Sequence, residues 1–530
     1  MKLRRIALAL PILLAACQAA PPQPWLADLG NGSYRNPILH ADYSDPDVIR
    51  VGDSYYMTSS SFSNVPGLPL LTSKDLVNWT LVGHALPQLV PAAAFAAPQP
   101  GKGVWAPCLR FHDGKFWIFY PDPDFGIYVI TAARFEGPWS APHLLLAGRG
   151  MIDPTPLWDD DGKAWLLHAW AKSRAGFNNV LTLRPMSPDA RRITGEGKVL
   201  IDGNRLPGYT TLEGPKFYKR DGYYYVFAPA GGVEAGWQSV FRSRRIDGPY
   251  EDRIVLEQGG SSVNGPHQGA WVAAADGSDW FVHFQDKRAY GRVVHLQPMG
   301  WNAGWPLIGA QSAKPGVGEP VSVHRKPVGA GLVAAPPASD EFSAPTLGLQ
   351  WQWSANWQAS WYSLDARPGY LRMLAQAPAP AGLRATASVL GQKLPAPAFQ
   401  VDTLLALHAQ GDGDSAGLLL NGLSYAWLGV RRTGGATRLV FARCDTPAAQ
   451  CKETVELLAP VGDTPLALRM QMGEGGIARF SYSTDRVNFK PAGEPFKAGM
   501  GRWVGAQVGL FAYGQPGAFA DVDYLRVTPP

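Results

Sequence analysis

Five segments between residues 45 and 277 repeat one local pattern, and few folds are built by repeating a strand–turn–strand unit. Three of them open on an acid with proline one or two residues behind: Asp45-Pro46, Asp153-Pro154 and Glu213-Gly214-Pro215. An apolar run follows, then a turn seven to nine residues beyond the acid (Gly52-Asp53, Asp161-Gly162, Asp221-Gly222), then an aromatic-rich run. Two further copies lead with other residues, Trp105-Ala106-Pro107 with Asp113-Gly114 and His267-Gln268-Gly269 with Asp276-Gly277. The copies begin near 45, 106, 153, 213 and 268, in steps of 61, 47, 60 and 55 residues. Apolar and aromatic runs joined by Asp-Gly turns are hairpin signals, and periods of this length point to propeller blades and not to solenoid coils.

A five-bladed β-propeller is therefore predicted for residues 31–322. The innermost strands of a propeller converge on its axis, so residues that open those strands meet in one funnel. Asp45, Asp153 and Glu213 are then neighbours, although 108 and 60 residues separate them. Asp-Pro at a loop start is ordinary turn chemistry, which would explain one such acid. Three copies presenting a carboxyl at the same place ask for more, because uncompensated burial of acids is costly.

A chain of 530 residues is too long for one core. Its 59 Gly, 47 Pro and many aromatics favour an all-β protein rich in turns. The stretch 323–338 is rich in small residues and reads as a linker. Beyond it, alternating runs such as Ser424 to Val430 and Ala467 to Met472 are spaced like sandwich strands, so 339–530 is assigned to a β-sandwich. The fold class is all-β, a five-bladed propeller followed by a sandwich. A net charge of +5 with no Lys/Arg cluster gives a nucleic-acid backbone nothing to follow, so nucleic acid is not expected as a partner.

The first 17 residues read as a targeting segment, with Lys2, Arg4 and Arg5 ahead of a short apolar stretch. It ends in Leu14-Ala15-Ala16-Cys17, which resembles a bacterial lipoprotein cleavage box. Cys17 would carry lipid, with 18–30 as a tether, placing the protein in a bacterial cell envelope. The alternative is a secretory signal with an incidental cysteine, for a periplasmic or secreted protein. Membrane contact is expected only through that lipid, since no later apolar run has transmembrane length. Cys444 and Cys451 are spaced to close a local disulfide, leaving Cys108 as a lone buried thiol.

Two other motifs lack their context. Gly413-Asp414-Ser415-Ala416-Gly417 matches a nucleophile elbow, but strand alternation and not a helix follows, so Ser415 reads as loop. Asp159-Asp160-Asp161-Gly162 lacks the remaining ligands of a calcium loop and reads as a hairpin turn.

Asn36-Pro37-Ile38, Ser44-Asp45-Pro46-Asp47, Val104-Trp105-Ala106-Pro107, Ile152-Asp153-Pro154-Thr155, Leu212-Glu213-Gly214-Pro215 and Tyr290-Gly291-Arg292 together resemble glycoside hydrolase family 43. Ser339-Asp340-Glu341-Phe342 and Leu349-Gln350-Trp351 resemble the concanavalin-like sandwich of its β-xylosidase-type members. The resemblance implies an inverting exo-glycosidase that releases β-D-xylose or α-L-arabinofuranose from hemicellulose. Asp45 would be the general base, Glu213 the general acid and Asp153 the modulator of the acid's pKa. Arg292 would reach a sugar hydroxyl, or else form a rim salt bridge. Trp105 would be a sugar platform, or else blade packing. Phe62, in the loop 61–66, would help shape substrate choice.

The family's fifth-blade histidine falls on His267 or on Gln268, depending on one residue of register. There it is a ligand of an axial calcium or other metal, or else a structural histidine. No cofactor is otherwise required. Two other readings stand beside this one: a non-catalytic carbohydrate-binding surface lipoprotein, and a retaining five-bladed glycosidase of the invertase type.

Overall fold

The computed structural model describes residues 23–328, 332–379, 382–446 and 452–530. The expected targeting segment with Cys17 lies outside the described residues, as does Cys451. The described chain forms five antiparallel blades around one axis, then a sandwich of two seven-stranded sheets. The innermost strands of the blades are Asp47–Val51, Cys108–His112, Met151–Trp158, Lys216–Arg220 and His267–Ala273. Each blade adds its remaining strands outward in chain order, and the fourth gains two short strands at its edge, Gly318–Glu319 and Ala310–Gln311.

The turn chemistry sets the hairpin registers. Asp113 and Gly114 have φ of 49° and 68°, Asp221 and Gly222 of 48° and 73°, so both central residues are left-handed, as a type I′ turn requires. His112 accordingly pairs with Lys115, and Arg220 with Tyr223. The aromatic second strands then pack between blades. Tyr56 and Phe116 meet at 4.9 Å between blades one and two, and Phe227 and Phe281 at 6.0 Å between blades four and five. Every junction between neighbouring blades holds its own apolar cluster.

The ring closes without exchanging a strand between the first and last blades. Instead, the segment before blade one runs along blade five: Leu39 pairs with Val294, and Asn36 exchanges hydrogen bonds with the backbone of Leu296. Two boundaries shift from those expected. The tether assigned to 18–30 is docked from Trp25 onward, with the indole of Trp25 donating to Pro37 O and Asp28 paired with Lys326. The linker assigned to 323–338 begins later, because Val323–Arg325 pairs with Ser33–Arg35. Both corrections share one cause: these segments cover the seam where the ring closes.

In the sandwich, Leu418, Leu428 and Leu510 of one sheet face Leu405, Leu468 and Val522 of the other. Ser415 opens the strand Ser415–Asn421 and is not in a loop; its hydroxyl donates to Gly413 O and accepts from Arg431, with no helix behind it. Cys444 is disulfide-bonded. Cys108 is a free buried thiol.

The sandwich docks directly on the propeller. Val65 and Trp353 exchange both backbone hydrogen bonds, and the amide of Asn356 brackets the backbone of Leu89. At blade five, Tyr290 OH donates to Pro397 O at 2.7 Å, and Ala506 N donates to Ala289 O at 2.7 Å.

Candidate active site

The residues that open the inner strands meet at the axis, but not in the register their sequences suggest. Asp45 and Asp153 have φ of 55° and 54°, a left-handed conformation that Asp tolerates better than most residues. In the fourth blade that position belongs to Gly214 at φ 59°, and in the fifth to Gln268 at φ 37°. Glu213 therefore stands one residue ahead of the two aspartates, level with Ser44, Trp105, Ile152 and His267. The expectation of three acids at one place is corrected on this point. In the fifth blade His267 is level with Glu213, and Gln268 with the aspartates.

Asp45, Asp153, Glu213 and Arg292 line one cavity of about 230 Å³, together with Phe62, Trp105 and Gln268. Asp45 is buried and holds three donors. Its Oδ2 accepts from Ser44 Oγ at 2.6 Å and Ser60 Oγ at 2.5 Å, and its Oδ1 lies 3.1 Å from Arg292 Nη1. Arg292 lies over the ring of Phe284 at 4.7 Å, and its Nε makes no hydrogen bond but lies 3.9 Å from Asp286 Oδ2. Its backbone N–H donates to Asp42 Oδ1 at 2.9 Å.

Asp153 Oδ2 accepts the amide of Gly214 at 2.7 Å, which ties the third blade to the residue beside Glu213. Burial, then the charge of Glu213, then that of Asp45, pushes the Asp153 carboxyl well above the ordinary carboxylate range. The side chain of Glu213 is 24% exposed, more open than its two partners. His267 Nε2 stands 3.1 Å from Glu213 Oε1, and the other ring nitrogen is buried without a partner.

Two residues further down each strand, the funnel is sealed. Asp47 Oδ2 accepts from Leu109 N at 2.7 Å and Arg110 Nη1 at 3.1 Å, and lies 3.3 Å from Lys216 Nζ. Lys216 also donates to Pro107 O at 2.8 Å, and Arg110 to Thr155 Oγ1 at 3.0 Å. Buried charges of this kind need such partners, and here they close the axis beneath the carboxyl groups. The site is a pocket and not a channel.

Aromatic rings form its mouth. Phe62 and Trp105 lie 5.9 Å apart, and Trp105 lies 6.1 Å from Trp503. Trp503 comes from the sandwich, has φ 66° and is 39% exposed. Gly101 lets this loop approach, since a Cβ there would stand 2.4 Å from Arg502 Cγ. Trp503, Ser60 and Asp42 were not among the residues singled out from sequence, and Ser44 and Gln268 stood there in motifs without these roles. The run Thr58 to Ser61 at a strand end is a signal for Ser60; nothing local marks Trp503.

His267 is the candidate metal ligand of the fifth blade. Its Nε2 is turned to Glu213, and among the described residues no three His, Cys, Asp or Glu side chains converge to hold an ion. Glu213 stands beside it, with no third protein ligand of this set gathered around the pair among the described residues.

This architecture matches known proteins over nearly its whole length. The family model for glycosyl hydrolases family 43 matches residues 34–306, and that for the β-xylosidase C-terminal concanavalin A-like domain matches 339–528. A Xylanibacter ruminicola protein that carries a β-xylosidase name is 38% identical over 487 residues, 91% of this chain and 86% of that protein. A non-reducing-end α-L-arabinofuranosidase of Bacteroides ovatus is 32% identical over 369 residues, 66% of each chain. The crystal structure of a xylan β-1,4-xylosidase from Bacillus halodurans superposes with a TM-score of 0.82 at 26% identity, covering 93% of this chain and 99% of that one. With a sealed propeller pocket and the concanavalin-like domain docked over it, the chain belongs to glycosyl hydrolase family 43 and is a glycoside hydrolase acting on carbohydrate.

Proposed function

We propose that the protein is an inverting exo-glycosidase that removes terminal β-D-xylose or α-L-arabinofuranose from xylan or arabinoxylan. One observation carries this reading: Asp45 and Glu213 share a pocket whose floor is closed by the Asp47–Lys216 network and whose mouth is narrowed by Trp105 and Trp503. Such a pocket accepts a chain end and has no room for a chain to pass through.

Asp45 takes a proton from a water whose oxygen attacks the anomeric carbon. Ser44, Ser60 and Arg292 hold the carboxyl to that task. Glu213, on a different blade, gives its proton to the departing glycosidic oxygen as the bond breaks. Attack and departure on opposite faces invert the anomeric configuration. Burial and the charges of Glu213 and Asp45 favour a proton on Asp153, beside the proposed acid. Gln268 Nε2, which lines the pocket and has no hydrogen-bond partner in the protein, suits a sugar hydroxyl. The relatives' names support both pentoses.

The test is hydrolysis of 4-nitrophenyl β-D-xyloside and α-L-arabinofuranoside, with NMR of the first-formed anomer. No release at high enzyme loading would end the pentosidase reading, and a retained anomer would replace the inverting mechanism with a covalent one. Glu213→Ala should lower kcat about 10²- to 10⁴-fold on an accepted substrate. We also propose a lipid anchor at Cys17 in the cell envelope, supported by the Leu14-Ala15-Ala16-Cys17 sequence. Cys17→Ser should then release the protein from the membrane fraction, and an unchanged fractionation would remove the anchor.

A further inference from the structure

The segment that delivers Glu213 is pinned along its length, and one side chain from the neighbouring blade holds it twice. Asn179 is 4% exposed. Its Nδ2 donates to Tyr209 O at 3.1 Å and to Asn204 Oδ1 at 3.2 Å, and its Oδ1 accepts Leu212 N at 2.8 Å. The amide thus reaches both sides of Thr211, as a paired strand would. Further on, Glu213 N donates to Pro229 O at 3.2 Å and Gly214 N to Asp153 Oδ2 at 2.7 Å.

Between the two points held by Asn179, Thr211 has φ 52°. A β-branched residue rarely enters the left-handed region unless its surroundings hold it there. Thr211 also lines the catalytic pocket, two residues before Glu213. Released from the amide, Thr211 would relax toward negative φ and swing the following peptide, moving the Glu213 carboxyl.

We propose that Asn179 is a positioning residue for the general acid: its amide brackets Thr211, holds it left-handed, and thereby aims Glu213 at the leaving oxygen. This rests on the assignment of Glu213 as the acid. The bland alternative is that Asn179 only satisfies buried backbone groups, in which case its loss would weaken folding and all substrates alike.

Leaving groups separate the two. A phenyl pentoside needs its oxygen protonated as it departs; a 2,4-dinitrophenyl pentoside hardly does. Asn179→Ala should lower kcat on the phenyl substrate about 10- to 100-fold and on the dinitrophenyl substrate by about threefold or less. Adding Thr211→Gly, which makes the left-handed backbone free of strain, should restore part of the phenyl activity. Equal losses on both substrates, or no restoration in the double variant, would overturn the proposal.

Glu213→Gln serves as the control for the underlying assignment. If it lacks this leaving-group dependence, the acid is misassigned and the proposal falls with it. If it has the dependence and Asn179→Ala lacks it, only the positioning role falls. Should Asn179→Ala not fold, Asn179→Asp keeps the oxygen facing Leu212 and loses both donors, and the same pair of substrates decides. Peptide hydrogen exchange over 206–214 should rise in either folded variant, and unchanged protection would count against the clamp.

Discussion

Oδ2 of Asp42 accepts the backbone amide of Gly505 at 2.9 Å, across 463 residues of chain. Its other oxygen accepts the amide of Arg292, whose guanidinium holds Asp45. One buried carboxyl thus fixes the sandwich, the fifth blade and the arginine behind the proposed base in a single geometry. Asp42→Asn must turn an N–H₂ group toward one of the two amides, leaving buried donors face to face. The expected cost is about 1–3 kcal/mol, with a fall in Tm and in kcat/KM together. Thermal melts and steady-state kinetics check it; wild-type values in both would remove Asp42 from this role.

Trp503 is the sandwich's direct contribution to the pocket, 6.1 Å from Trp105. An aromatic pair of this kind contributes about 0.5–1.5 kcal/mol beyond its area. Trp503→Ala should therefore lower kcat/KM on xylo-oligosaccharides roughly 3- to 10-fold, mainly through KM, while Trp503→Phe stays near wild type. An alanine variant with unchanged KM would show that the sandwich does not touch substrate.

Asp153 gives a pH dependence whose sign is fixed by its surroundings. Burial and the charges of Glu213 and Asp45 raise its folded pKa above the unfolded value of about 3.9. The fold therefore favours the protonated form, and stability from this group falls as pH rises through the folded pKa. Asp153→Asn removes that loss, so the variant should melt higher than wild type at pH 7–8 while kcat drops about 100-fold or more. A variant that melts lower at alkaline pH would contradict the assignment.

The propeller was legible because its signals are local. Each blade spells its hairpin with an apolar run, an Asp-Gly turn and aromatics, and five copies leave little choice. The site was legible only to within one residue. Asp-Pro and Glu-Gly-Pro look equivalent in sequence, yet the backbone needs a left-handed residue at one fixed place. Asp45 and Asp153 supply it themselves, whereas Gly214 supplies it for Glu213 and displaces the acid by one. The choice between His267 and Gln268 stood open for the same reason, one residue of register. Trp503 and Asp42 act across domains, where no spacing in the chain records the contact.

Buried histidines should govern the acid limb of stability. Burial depresses His40 and His84 to about 3 and His168 and His283 to about 4. Lys287 and Arg35 add to the effect at His40, Lys393 at His84, Arg184 at His168 and His267 at His283. These rings are neutral in the fold and charge near 6.5 once unfolded. Their contribution is complete above pH 6.5 and is lost as pH falls toward 4, by up to about 1.4 kcal/mol per pH unit for each ring. Denaturant titrations from pH 4.5 to 6.5 should show stability climbing with pH, and a flat profile would refute this. His283→Gln should reduce the slope by about one proton's worth. Asp153 opposes the trend over the same interval, because it loses stability as pH rises. The climb should therefore be steeper in Asp153→Asn than in wild type, a crossing of two linkage effects that neither group alone would produce.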